Sequence, residues 1–179
     1  MATLTDTPLR YGLVSRIFHW GMALLFLCQF ASAAAHWALP RENALLETLW
    51  SYHTTLGTTL FLLVLLRGLW GLSQLSNRPE PEPGLLGRAA LLGHLALYAL
   101  MVIIPLLRLI AAAGGTRGLS YLGIEIFAPR AEKIAWMDAA AEWHGELGWL
   151  LFFVVIGHIL MAVVWHNRIQ KDDTLRRMA

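Results

Sequence analysis

Polar and apolar positions along this chain separate into long blocks instead of alternating. Four stretches contain no Asp, Glu, Lys or Arg: Ile17–Pro40, Thr48–Leu66, Ala89–Leu107 and Leu147–Asn167, each 19 to 24 residues long. About 20 consecutive apolar residues, coiled as a helix, cross a hydrocarbon core. Backbone N–H and C=O groups in lipid must pair within their own segment, so each stretch predicts a transmembrane α-helix. Trp20, Trp37, Trp50, Trp70, Trp143 and Trp165 fall near the ends of these stretches, where an interfacial aromatic belt would hold them. The predicted fold is all-α, a transmembrane four-helix bundle forming one domain over residues 1–179. The first stretch outruns the roughly 7–15-residue apolar core of a signal peptide and follows a polar decapeptide, so it is expected to be retained.

The connections differ in character. Ser73–Arg88 carries Asn-Arg-Pro-Glu-Pro-Glu-Pro-Gly, a stiff linker in which proline removes donors and blocks helix continuation. Ala112–Ala141 is the longest connection, and its mixed portion Gly118–Pro129 is expected to lie across one mouth of the bundle as a partial cap. Pro105 is expected to kink the third helix.

Composition agrees with a lipid setting. Hydrophobic residues make up 57% of the chain, charged residues only 15%, and mean hydropathy is +0.54, whereas soluble domains carry about 25% charged residues. Charge also orients the bundle. With a cytoplasmic N-terminus, Arg10, Arg16, Arg67, Arg78, Arg88, Arg168, Lys171, Arg176 and Arg177 lie inside, against Arg41, Arg108, Arg117, Arg130 and Lys133 outside. The excess of positive charge predicts both termini in the cytoplasm. The net charge of +2 and pI near 9.0 therefore reflect topology. Without a basic face or a reading motif they give no support to nucleic-acid binding.

The single cysteine, Cys28, excludes an internal disulfide, and no C-x-x-C-H motif is present for covalent haem attachment. Carboxylates are absent from the four stretches, and no nucleophile elbow, phosphate loop or zinc helix competes.

Seven histidines remain as candidate chemistry. Ionisable side chains within spans are expensive and point to function, and neutral imidazole is a common ligand of metals and of haem iron. His144 and His158 stand fourteen residues apart on the fourth stretch. That spacing advances about 21 Å and returns to within roughly 40° of the same helix face. One helix can thus present an imidazole near each membrane surface, as two stacked haems would need. His53 and His144 share the outer level; His19, His94 and His158 share the inner one, three candidates for two axial positions. Gly57 and Gly148 follow His53 and His144 by one turn on the same face, where the missing side chain leaves room for a porphyrin. Any haem here is b-type, held by coordination and packing. Arg16 and Arg88 suit haem propionates. His36 and His166 sit at span ends within reach of water, with His166 able to meet a head group or a quinone. Met22, Met101 and Met161 are expected to fill core space.

Several motifs carry a resemblance. R-I-F-H-W at Arg16–Trp20, H-T-T-L-G at His53–Gly57, G-H-L-A-L-Y at Gly93–Tyr98 with Pro105, W-H-G-E-L-G at Trp143–Gly148, Gly157-His158 and the tail K-D-D-T-L-R-R-M at Lys171–Met178 are similar to the bacterial cytochrome b561 family. These are stand-alone dihaem cytochromes of the inner membrane, and the resemblance runs from about Arg10 to Met178. It implies that His19 with His158 hold a cytoplasmic-side haem b and His53 with His144 a periplasmic-side one. His94 is then left as a candidate for a quinone site or a proton relay, with His166, or as a substitute for His19 or His158. Stand-alone members resemble superoxide oxidases, which implies transfer of single electrons from periplasmic superoxide to ubiquinone, with Arg117 a candidate for steering the anion. The outer segments hold seven acidic residues against five basic ones, so any positive funnel must be local. The alternatives are a haem b subunit of a larger dehydrogenase or hydrogenase complex and, further off, a proton-conducting bundle without redox chemistry.

Overall fold

In the computed structural model, which describes residues 3–80 and 82–178, each uncharged stretch is helical over nearly all of its length. Helix α1 spans Leu13–Ala38, α2 Ala44–Ser73 and α3 Gly84–Ala113. A short α4, Ala135–Ala139, precedes α5, Glu142–Leu160, and a further short helix, α6, spans Thr174–Met178. Among the described residues, four helical segments are long and apolar enough to cross a membrane. The helices outrun the uncharged stretches: α2 and α3 have 30 residues each, which makes them about 45 Å long. A hydrocarbon core of roughly 30 Å leaves their charged ends in water.

The helix ends follow local chemistry. The Asn43 side chain accepts from the Leu45 and Leu46 backbone N–H groups, so α2 begins four residues before the uncharged run. Pro83, with no N–H to offer, stands just before α3. The linker is therefore shorter than Ser73–Arg88: α2 runs to Ser73, Leu75–Asn77 form a 3₁₀ turn, and Gly84–Arg88 are already helical. Helix α3 continues through Pro105. The fourth span departs further from expectation. After α5 the chain runs as a π-helix from Met161 to Gln170 and stops at Lys171, which is left-handed at φ 55. Apolar patterning cannot separate one helix type from the other.

Helix α1 packs along α2, α3 along α5, and α2 along α3, whereas α1 and α2 make little backbone contact with α5. Two small clusters form the core: Met22, Leu60 and Val64 in one, Leu97, Ile104 and Leu151 in the other, with Phe26 and Met101 against both. Large apolar side chains such as Leu24, Leu27, Leu69, Leu92 and Phe153 point outward. Lipid solvates that surface, so helix association rests on close packing and polar contacts.

One polar contact set closes the predicted inner end, where the two termini meet. Buried Asp6 accepts from Gly12 N–H and from the Ser15 hydroxyl at 2.6 Å, and its other oxygen pairs with Arg78. Trp70 Nε1 donates to Ser15, which ties α2 to α1. The tail returns beneath the same end: Tyr11 N–H donates to the Arg177 carbonyl and Trp20 Nε1 to that of Met178. At the outer end, β1 (Leu119–Tyr121) and β2 (Ile124–Phe127) form an antiparallel hairpin. Its turn places Leu122 and Gly123 at φ 50 and 83, the both-positive pattern of a tight two-residue turn. The Tyr121 hydroxyl lies 3.0 Å from that of Thr59. The hairpin therefore folds back against α2.

Candidate functional site

At the outer level, α2 and α5 bring the rings of His53 and His144 together edge to face, with centroids 6.2 Å apart and planes at 73°. Hydrogen bonds fix the proton on each ring. His144 Nδ1 lies 3.0 Å from the Ile104 carbonyl, which can only accept, so Nδ1 donates. Around His53, the Ser32 hydroxyl donates to the Gln29 carbonyl at 2.7 Å, and its oxygen accepts from His53 Nδ1 at 2.8 Å. Both rings thus keep the Nε2 lone pair, the arrangement by which partners prepare histidine for a metal. On His53 that lone pair accepts from the Gln29 side-chain amide at 3.1 Å. Trp50 stacks on His53 at 4.5 Å and on His36 at 3.7 Å, and Arg41 lies 3.1 Å from the His36 ring. Trp50 thus does more than anchor an interface.

Three imidazoles gather at the inner level. His158 stands 6.2 Å from His19 and 5.5 Å from His94. His94 Nδ1 donates to the Ala90 carbonyl at 2.7 Å, again leaving Nε2 free. His19 differs: Arg67 donates to its Nδ1 at 3.3 Å, so its ring proton sits on Nε2. The Arg67 guanidinium also lies over the Tyr98 ring, 5.8 Å from the centroid. In the sequence Arg67 reads only as one more inside charge at the end of an uncharged run.

The residues fit non-covalent haem. Two imidazoles on opposite sides of one iron, with metal–nitrogen bonds of about 2 Å, hold their ring centroids roughly 6 Å apart. The His53–His144 and His19–His158 pairs both meet that span, although His19 would offer Nε2 to a metal only with its ring proton moved to Nδ1 and the Arg67 bond released. Unpartnered buried polar atoms occur at both levels: Gln29 Oε1 outside, Arg16 Nε and Trp165 Nε1 towards the inner end. Buried polar atoms normally have partners, so each orphan calls for one. A Cβ at Gly148 would meet nothing within 4 Å, whereas one at Gly57 would come 3.2 Å from the Gln29 amide. Between the levels lies an apolar layer of Phe26, Phe30, Met101 and Leu151, with Phe30 edge-on to Phe152 at 5.3 Å.

Arg117 is exposed in the turn before β1. Met22 is buried in the core and Met101 packs against both clusters, as expected of fillers, whereas Met161 is exposed. His166 lies on the π-helix and donates from Nδ1 to Asp172 at 2.7 Å. Burial pushes the Asp172 carboxyl upward, but bonds from His166 and Thr174 outweigh it and hold the pKa down to about 2.

The family model for prokaryotic cytochrome b561 matches residues 10–179. Cytochrome b561 homolog 2 of Escherichia coli K12 is 31% identical, over 98% of this chain and 94% of its own length. The probable superoxide oxidase CybB of Yersinia pestis is 27% identical, over 94% and 95% respectively. Cytochrome b561 homolog 1 of E. coli K12 is 25% identical, over 94% and 96%. Matched along almost its whole length, the chain belongs to the prokaryotic cytochrome b561 family, in which haem b serves electron transfer in the membrane.

Proposed function

We propose that this protein is a superoxide:ubiquinone oxidoreductase, a single unit over residues 1–179 in a bacterial inner membrane, with both termini cytoplasmic and two haem b groups. His53 and His144 hold the outer group, His19 and His158 the inner one. The observation that carries this reading is the pair of imidazole couples, each 6.2 Å across, whose α5 members stand fourteen residues apart. The choice of superoxide is supported by the Yersinia relative's name. Bound haem b supplies a one-electron iron couple. In the balanced reaction, two superoxide ions give one electron each, ubiquinone takes both with two protons, and two dioxygen molecules and one ubiquinol result. Arg117 favours approach of the anion. Gly57 and Gly148 leave room beside the outer ligands, Arg16 meets an inner propionate, and His94 or His166 passes protons to quinone. The apolar layer between the levels keeps water out of the path.

The test is the haem content and reduced-minus-oxidised spectrum of the purified protein. Two haems per chain are expected, with His53→Ala and His144→Ala each retaining one. Retention of both in either variant removes the pairing. Rapid reduction of the oxidised protein by superoxide is expected in stopped flow, and its absence would reduce the reading to an electron carrier with another donor. One rival inner pair has support: His94 is 5.5 Å from His158 and has its Nε2 free. Loss of a haem in His94→Ala but not in His19→Ala would select it.

A further inference from the structure

Gln29 and Ser32 face His53 from α1, three residues apart. Ser32 is 1% exposed, and its hydroxyl has one proton, which goes to the Gln29 backbone carbonyl at 2.7 Å. The oxygen is therefore an acceptor towards His53 Nδ1 at 2.8 Å and fixes the ring proton there. The Gln29 side-chain amide then sits 3.1 Å from Nε2, on its lone pair. Its own Oε1 is buried with no partner. That amide occupies the space opposite Gly57, where even a methyl group would crowd it at 3.2 Å.

From this we infer that Ser32 and Gln29 are positioning residues for His53 with opposite roles: Ser32 a permanent orienting partner, Gln29 a placeholder that yields when iron takes Nε2. The inference rests on the assignment of His53 as a haem ligand. Its physical basis is an asymmetry. Losing Ser32 removes the acceptor that sets the tautomer and raises the basicity of the ligating nitrogen. Withdrawing the Gln29 amide forfeits one donated bond and no accepted one, since Oε1 has none to lose. The glycine at position 57, read from the sequence as clearance for a porphyrin, also provides the clearance the placeholder uses.

Four variants of the full-length chain test this by titrating the haem-depleted protein with hemin and by redox potentiometry of the loaded protein. Ser32→Ala should weaken hemin uptake at one of the two positions by roughly 10- to 100-fold, the usual effect of removing such a partner. It should also raise the midpoint potential of that haem alone. Ser32→Thr, which keeps a hydroxyl, should restore both. Gln29→Leu should tighten uptake at the same position by about 2- to 10-fold, the range of one net hydrogen bond. Unchanged uptake and potential in Ser32→Ala, or weaker uptake in Gln29→Leu, would overturn the proposal while His53→Ala still loses one haem. Retention of both haems by His53→Ala would instead remove the ligand assignment, and the proposal with it.

Discussion

Asp172 organises the end of the chain with one carboxylate: Oδ2 accepts from His166 and Oδ1 from the Thr174 N–H at 2.8 Å, which starts α6. Its folded pKa is lowered from 3.8 to about 2. A carboxyl with a lowered folded value contributes stability above its unfolded value and loses it as pH falls through the folded one. The tail is therefore expected to stay docked at pH 5 and to loosen between about pH 4 and pH 2, and Asp172→Asn should loosen it already at pH 7. Hydrogen exchange at Thr174 and fluorescence of Trp20, which donates to Met178, would report it; a signal flat from pH 5 to pH 2 would remove the linkage. The same lesson applies at the site. That five histidines gather at two levels was legible from depth along each span, because depth follows from sequence position; depth did not choose between His19 and His94 as the neighbour of His158. Nor were the rings' hydrogen-bond partners legible. Gln29 and Ser32 on α1 act on His53 of α2, the Ile104 carbonyl of α3 acts on His144, and Arg67 of α2 acts on His19. Each contact depends on how one helix is rotated against another, which a linear pattern does not record.

At the scale of elements, Gly148 on α5 offers a test that separates the chain from what it holds. Alanine is better than glycine inside a helix by about 0.5–1 kcal/mol, and a Cβ there meets no protein atom within 4 Å. Gly148→Ala should therefore raise the unfolding temperature of haem-depleted protein yet lower the haem-to-protein ratio of the loaded form. An unchanged ratio would show that no flat group lies over that face. The four spans themselves were legible, since block length alone separates a membrane helix from a soluble one. Their ends were not: Asn43 starts α2 early, and Pro83 allows α3 to begin at Gly84. The hairpin left only a faint trace, because its turn uses Leu122-Gly123 where asparagine or aspartate would have advertised it. The switch to a π-helix at Met161 leaves the order of apolar residues untouched.

For the molecule as a whole, the membrane setting and the number of spans were readable because hydrophobicity acts locally. Which helices touch was not, and that detail matters most: α1 and α2 lean on each other, α3 leans on α5, and the histidines meet across the looser seam. Midway along that seam sit Phe26, Phe30, Met101 and Leu151. An apolar layer gives protons no relay, so on the proposed path an electron moving inward through it would travel uncompensated. In an energised cell it climbs an inside-negative voltage, at about 2.3 kcal/mol per 100 mV for the full crossing. Turnover in sealed vesicles should therefore slow as that voltage is imposed and recover when an ionophore collapses it. Indifference to the ionophore would mean that the electron never makes the crossing. On the proposed path the cell's own state of charge would act as a brake on the protein, set by four apolar side chains.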